Sequence, residues 1–200
     1  KIQTYVCDVS DEKSVEIAVD SFNAYAGTVD ILVNNAGILY SAPLVSFSAT
    51  GVKPHNIDDW KKVININLNS VFYVSNNVVS KMVQSRTKGV IINISSISAA
   101  GNSGQSAYSA AKAGVNSLTA TWSKELSQLG IRVFGVAPGF CDTKSTNLAM
   151  NTMIIKKITE EIPLKRLGDP QEVVDAILFG IKNGYVNGKT IEIDGGLIIS

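Results

Sequence analysis

Cysteine and histidine are scarce, two and one in 200 residues. Cys7 and Cys141 are too few to staple a small secreted scaffold, and His55 alone offers no cluster for a metal, so neither a disulfide framework nor a metal centre is expected. Long apolar runs are missing too. The hydrophobic stretches are strand-length and broken by Asn, Ser or Gly, and the N-terminus lacks the charged-then-apolar pattern of a signal peptide; no membrane span is expected, and a cytoplasmic location is. Neither charge sign dominates: 18 Lys and Arg stand against 17 Asp and Glu, a formal net charge of +1, with no basic run interleaved with aromatics. A nucleic-acid partner is therefore not expected. Asn93-Ile94-Ser95 spells a glycosylation acceptor, but it falls in an apolar strand of a chain without a secretion signal and reads as accidental. What is present, 45% hydrophobic and 18% charged residues, suffices for the core of one soluble domain over residues 1–200.

Without repeats or low-complexity linkers, strand-like and helix-like patterns alternate along the chain, the signature of an α/β fold. IQTYV at 2–6 reads as a short buried strand. Ser10 is expected to cap a helix with Asp11 and Glu12 in its first turn and Val15, Ile17, Ala18 and Phe22 on its apolar face. After the strand VDILV at 29–33, Asn56 caps a long helix to about Met82, with Asp58 and Asp59 at its start and Trp60, Ile64, Val71 and Val78 on its apolar face. Strand VIINI at 90–94 precedes a helix through Tyr108 that ends at Gly130, a residue suited to a left-handed cap. Strand IRVFGV at 131–136 follows. Asp169-Pro170-Gln171-Glu172 announces the last helix with an N-cap, a proline at the first position and an acidic third residue, and KTIEID at 189–194 ends the sheet. Near-continuous apolar strands with crossover helices imply a parallel sheet covered on both faces, which binds ligands beyond the carboxyl ends of its strands. Asn34, Ala36 and Gly37 follow one such end, Ser95 and Ser96 a second, Pro138 and Gly139 a third. Each taken singly also fits ordinary turn punctuation.

Tyr108 and Lys112, in AYSAAKAG, share one face of a helix at i,i+4 spacing. A phenol with an amine is proton-transfer chemistry: a nearby ammonium stabilises phenolate and is expected to lower the tyrosine pKa toward a useful range. An amphipathic helix would produce the same spacing by chance. Asn65, Asn67 and Asn69 crowd the middle of a helix, where asparagine is unfavourable, so something other than helix stability put them there.

VDILVNNAG at 29–37, ININLNSVF at 64–72, GVIINISS at 89–96, IRVFGVAPGF at 131–140 and GKTIEIDGG at 188–196 fall in a fixed order around AYSAAKAG. Together they resemble the short-chain dehydrogenase/reductase family from the first residues to the last. The resemblance implies a Rossmann-type doubly wound parallel sheet in three αβα layers, and a carbonyl–alcohol oxidoreductase using NADP or NAD, NADP being favoured. Tyr108 would be the acid/base, and Lys112 would tune it and hydrogen-bond the nicotinamide ribose. Ser96 would hold the substrate oxygen, with Ser95 the alternative because the family's usual spacing to the tyrosine fits it. Asn67 would hold a water that links the lysine to solvent. Asp8 and Val9 would bracket the adenine, Asp8 fitting a plain helix-entry residue almost as well. Asn35, Ala36 and Gly37 would line the adenosine ribose, and Pro138, Gly139 and Thr143 would flank the nicotinamide.

Among branches of the family the sequence most resembles 3-oxoacyl-(acyl-carrier-protein) reductases, although IPLKRLGDPQEV is shared with sugar and polyol dehydrogenases. The segment 142–164 corresponds to the family's substrate loop; Leu148, Met150, Met153 and Ile154 would give it an apolar wall suited to an acyl substrate, free or carried on acyl-carrier protein. The stretch SAPLVSFSATGVKPHN is longer than in many relatives and would form a lip or an oligomer contact. Helices 57–82 and 106–129 resemble those the family uses to build homodimers and homotetramers. The family's T-G-x-x-x-G-x-G phosphate turn is absent from the sequence. Residue 1 falls where the family's third strand begins, so an N-terminally incomplete piece is expected, with a gap in the sheet between 2–6 and 29–33. A non-catalytic oligomeric scaffold is the alternative of another class.

Overall fold

The computed structural model describes residues 2–49, 51–144, 146 and 151–199. Its centre is a parallel sheet of β1 (Ile31–Asn34), β4 (Gly89–Ile94), β5 (Ile131–Pro138) and β6 (Thr190–Ile193), in the order β1-β4-β5-β6. The two apolar runs at 89–94 and 131–138 occupy the middle because only there are both faces of a strand covered. Register places Leu32 beside Ile91, Ile91 beside Val133 and Val136 beside Ile191. Away from this sheet, β2 (Val45–Ser48) and β3 (Gly51–Pro54) pair antiparallel as a separate hairpin.

Helices cover both faces. On one, α1 (Glu12–Ala26), α3 (Ser70–Gln84) and α4 (Ser106–Leu126) bring Val19, Val78, Met82, Trp122 and Leu126 onto Ile91, Ile131 and Val133. On the other, α6 (Pro170–Lys182) lays Val173, Ala176, Ile177 and Ile181 on Val90, Ile92, Ile94, Phe134 and Val136. The result is the expected three-layer αβα arrangement. Arg132 ties α6 down by donating to the carbonyls of Gly180, Asn183 and Val186 at 3.0, 3.2 and 2.7 Å, groups the helix end would otherwise leave without partners. Helix α5 (Thr152–Glu161) lies in the segment expected as the substrate loop. Met153 is 79% exposed there, and Leu148 and Met150 lie outside the described residues.

Local signals behave mostly as expected. Asp169 and Glu172 form the reciprocal capping box of α6, and Asn56 accepts from the backbone of Asp58 and Asp59 to start α2 (Ile57–Ile64). The turn after α4 closes at Gly130, whose φ of 75° is left-handed. Two expectations at the N-terminus need correction. Ser10 does not cap α1; it spends its N–H and hydroxyl on Asp8, at 2.9 and 2.7 Å, and the free carboxylate of Asp11 caps the helix instead. Residues 2–6 form no strand: Ile2 and Val6 stand fully in solvent, and Tyr5 leans on Phe22 with ring centroids 6.4 Å apart. A strand needs a neighbour to satisfy its amides. Among the described residues none pairs with this stretch or with the outer edge of β1, so Ile31 and Val33 are also partly exposed. Ile17, expected on the apolar face of α1, is exposed.

Candidate active site

The first turn of α4 carries Tyr108, and the next carries Lys112, which is 4% exposed. Burial of an ammonium is costly without a partner, and Lys112 Nζ donates to the Ile94 carbonyl at 2.8 Å, at the carboxyl end of β4. That bond draws the ammonium over the Tyr108 ring, 5.8 Å from its centroid, a cation–π contact rather than a hydrogen bond to the phenol. The pKa consequences reverse one expectation. Burial pushes the Tyr108 phenol up, opposed by its contact with the Ser96 hydroxyl, and burial pulls Lys112 down to about 8. The ammonium does not lower the phenol here because the Ile94 carbonyl, not the phenol oxygen, holds it.

The two serines separate cleanly. Ser95 is buried and donates its hydroxyl to the Lys112 carbonyl at 3.2 Å, a structural contact. Ser96, one residue on, lines the same cleft as Tyr108. Adjacent residues leaving an extended strand point opposite ways, which is why the neighbours differ so much.

Asn67 sits in a π-helical turn, Asn65–Asn69, between α2 and α3. Inserting one residue into a helical turn costs hydrogen bonds, and such turns recur where a helix must reach something outside itself. Here the reach is to the loop after β1: the Asn67 amide donates to the carbonyls of Ile38 and Val63, both at 3.0 Å, and accepts from the Ile38 N–H at 3.1 Å. Gly37 permits the approach, since a Cβ there would stand 2.7 Å from Asn67 Oδ1 and 3.8 Å from Lys112 Nζ. The amide nitrogen of Asn67 has no donor left for a water, so its side chain is a staple in this structure. Asn67→Ala is expected to cost roughly 1–3 kcal/mol, because one buried and two part-buried backbone groups lose their partner. Urea titration reads this as a lower midpoint at unchanged slope; an unchanged midpoint would mean that water replaces the amide.

The candidate nucleotide contacts divide in two. Asn35, Pro138, Gly139 and Thr143 line the cleft of ≈ 650 Å³ shared with Ser96 and Tyr108. Val9 joins Asn35 and Ala36 around a smaller hollow of ≈ 140 Å³ at the end of β1. Asp8 lines neither, and its carboxylate is taken by Ser10, as a helix-entry residue's would be. Gly37 serves the Asn67 and Lys112 contact rather than a cleft wall.

Two features escaped the sequence reading. Gln105, the residue immediately before α4, is buried, lines the cleft and donates to Ser41 Oγ at 3.3 Å. Beneath the site a chain of buried amides crosses the sheet: Asn34 donates to Ser75 at 2.9 Å and to Asn93 at 2.8 Å, and Asn93 donates to Thr119 at 2.9 Å. Asn93 is fully buried, which closes the apparent glycosylation acceptor to any enzyme acting on the folded chain.

Comparison with known proteins agrees with this geometry. The family model described as enoyl-(acyl carrier protein) reductase matches residues 1–198. A 3-oxoacyl-(acyl-carrier-protein) reductase of Thermotoga maritima is 42% identical over 202 residues, covering 100% of this chain and 78% of that protein. The (3R)-3-hydroxyacyl-CoA dehydrogenase of Homo sapiens is 37% identical over 199 residues, covering 98% of this chain and 73% of that protein. Among solved structures, a 7α-hydroxysteroid dehydrogenase complexed with NADH and 7-oxoglycochenodeoxycholic acid matches with a TM-score of 0.87 at 29% identity, over 97% of this chain and 73% of that one. A parallel αβα sheet with such relatives defines an oxidoreductase that works with a nicotinamide cofactor. The chain belongs to the short-chain dehydrogenase/reductase family.

Proposed function

We propose that the chain reduces the 3-oxo group of an acyl thioester, with NADPH favoured over NADH, as a cytoplasmic homodimer or homotetramer. The observation that carries this reading is the convergence of the Ser96 and Tyr108 side chains on one cleft whose other walls include Leu39, Ile97, Phe140 and Val173. Polar groups gather at one point, and the remaining walls suit an apolar chain. The donor set fits the nicotinamide end of the cofactor. Lys112 gives one of its three N–H donors to Ile94, and Asn35 and Thr143 line the cleft beyond Tyr108. When bound there, the nicotinamide supplies the hydride.

The chain's own residues do the rest. Ser96 Oγ donates to the substrate carbonyl oxygen and fixes its position. Tyr108, kept neutral by burial, donates its proton to that oxygen as negative charge develops on it. At neutral pH the phenol carries the proton that carbonyl reduction uses. Lys112, held by the Ile94 carbonyl, would hold the ribose hydroxyls, and Asn67 keeps the loop at Gly37 and Ile38 in place beside it. Oligomerisation has a candidate surface in the groove between α3 and α4, where Phe72, Val79, Val83, Trp122 and Leu126 surround ≈ 480 Å³.

The test is calorimetric titration of NADPH and NADH into the protein, with 3-oxoacyl thioester, sugar and polyol turnover measured alongside. Binding of NADPH with thioester reduction is expected. Turnover of a polyol alone would replace the substrate assignment, and binding of neither nucleotide would overturn catalysis by this chain.

A further inference from the structure

Gln105 is a buried amide that the mechanism above does not use. Only 7% exposed, it stands immediately before α4 and lines the cleft of Ser96 and Tyr108. It also lines a second hollow of ≈ 530 Å³, formed with Asn102, Ser103, Lys157 and Ile158. Among the described residues Gln105 and Phe140 alone border both spaces, and Gln105 is the polar one of the two. The cleft and the hollow therefore meet at this pair, and a molecule lying across both passes the Gln105 amide.

The bonds Gln105 makes leave one donor over. Its Nε2 carries two N–H groups and gives one to Ser41 Oγ at 3.3 Å, while its Oε1 accepts from Asn102 Nδ2 at 3.3 Å. No partner among the described residues takes the second N–H. A buried N–H without a partner costs free energy, so an acceptor that reaches it is favoured. The backbone around the amide is fixed. The Gln105 N–H donates to the Asn102 carbonyl at 3.0 Å, the Gln105 carbonyl accepts from the Ser109 N–H at 2.8 Å, and Ala42 bridges to Gln105. Ser109 is the neighbour of Tyr108, so the spare donor and the phenol are carried on one braced segment.

A 3-oxoacyl thioester has two carbonyls separated by one methylene. Ser96 and Tyr108 take the 3-oxo oxygen, which leaves the thioester oxygen without a partner. Resting on the reductase reading above, we propose that Gln105 Nε2 donates its second N–H to the thioester carbonyl, and so reads the paired carbonyls that separate this substrate from a lone ketone or a polyol. The acyl group then keeps the apolar walls of the cleft. The sulfur and the amide-bearing arm beyond it leave through the second hollow, past Asn102, Ser103 and Lys157. A substrate without the second carbonyl leaves the Gln105 N–H buried and unpaired, which is the stronger half of the discrimination.

The test uses two ketones with NADPH: 3-oxobutanoyl-pantetheine, and the thioether in which its thioester carbonyl is a methylene. Gln105→Met keeps the length of the side chain and removes the donor. The ratio of kcat/KM between thioester and thioether is expected to fall about tenfold in the variant, the span of one buried hydrogen bond. A residue that only braced the loops at Ser41 and Asn102 would lower both substrates alike, so an unchanged ratio overturns the assignment. Should Gln105→Met unfold, Gln105→Glu is read in the same way; it keeps Ser41 and Asn102 as partners, since the Ser41 hydroxyl can donate instead, but offers the substrate only lone pairs. Reduction of the thioether alone by wild type also overturns the assignment. If wild type reduces neither compound, the reductase reading fails by itself, and calorimetry with the same two compounds decides. Thioester bound about tenfold tighter than thioether by wild type, a margin lost in Gln105→Met, supports the assignment. Absence of that margin overturns it.

Discussion

Replacing Tyr108 by Phe is expected to slow carbonyl reduction about a hundred- to ten-thousandfold while leaving nucleotide affinity unchanged, the span associated with losing one positioned proton donor. Phenylalanine keeps the ring, its packing and the cation–π contact from Lys112, so only the proton is removed. The loss must therefore appear in kcat, and single-turnover oxidation of bound NADPH separates it from product release. At neutral pH Tyr108 carries the proton that reduction consumes, whereas the reverse reaction starts from phenolate, whose share burial lowers. Alcohol oxidation is accordingly expected to lag at neutral pH and to gain as pH rises. Retention of full reductive kcat in Tyr108→Phe would transfer the acid role to Ser96.

The second large effect has opposite signs for activity and stability. Lys112→Met is expected to abolish turnover and yet to raise stability near pH 7. Lys112 titrates at about 8 in the folded chain against an ordinary value of 10.5, so between those values the unfolded chain binds a proton that the folded chain has shed. Stability then rises with pH across that window, and below it the buried charge is a standing cost of roughly 3 kcal/mol. Methionine removes that cost but forfeits the bond to the Ile94 carbonyl, worth about 1–2 kcal/mol, leaving a net gain of roughly 1 kcal/mol at pH 7. Above pH 10.5 the amine is neutral in both states and only the lost hydrogen bond remains, so the variant becomes the less stable. Thermal melts at pH 7 and near pH 11 check both signs. A variant less stable at both would mean that the ammonium is better solvated than its burial indicates.

Some of this was legible in the order of residues. The strands expected at 90–94 and 131–136, which the structure extends to 89–94 and 131–138, the capping box at Asp169 and Glu172, and the left-handed stop at Gly130 depend on neighbours within a few positions. The Tyr108 and Lys112 pairing on one helix face followed from spacing alone, whereas the long helix expected from 57 to about Met82 is interrupted at the crowded asparagines by the π-helical turn 65–69. Residues 2–6 and Ser10 misled for opposite reasons. The first needed a strand partner that a local pattern cannot supply; the second lost its cap role to a carboxylate one residue away.

What the sequence by itself determined is the alternation of strands and helices and which residues are candidates for the site, because periodicity, caps and family motifs are short-range signals. Tertiary structure alone decided which serine faces the cleft, that Lys112 answers to the Ile94 carbonyl instead of the phenol, and that Asn67 staples Gly37 and Ile38. It also decided that one face of the 45–54 hairpin is apolar throughout, since that face exists only once Phe47 is set opposite Val52. Each of these is a contact between residues distant in the chain, and its sign depends on desolvation and hydrogen-bond competition that only the assembled fold creates.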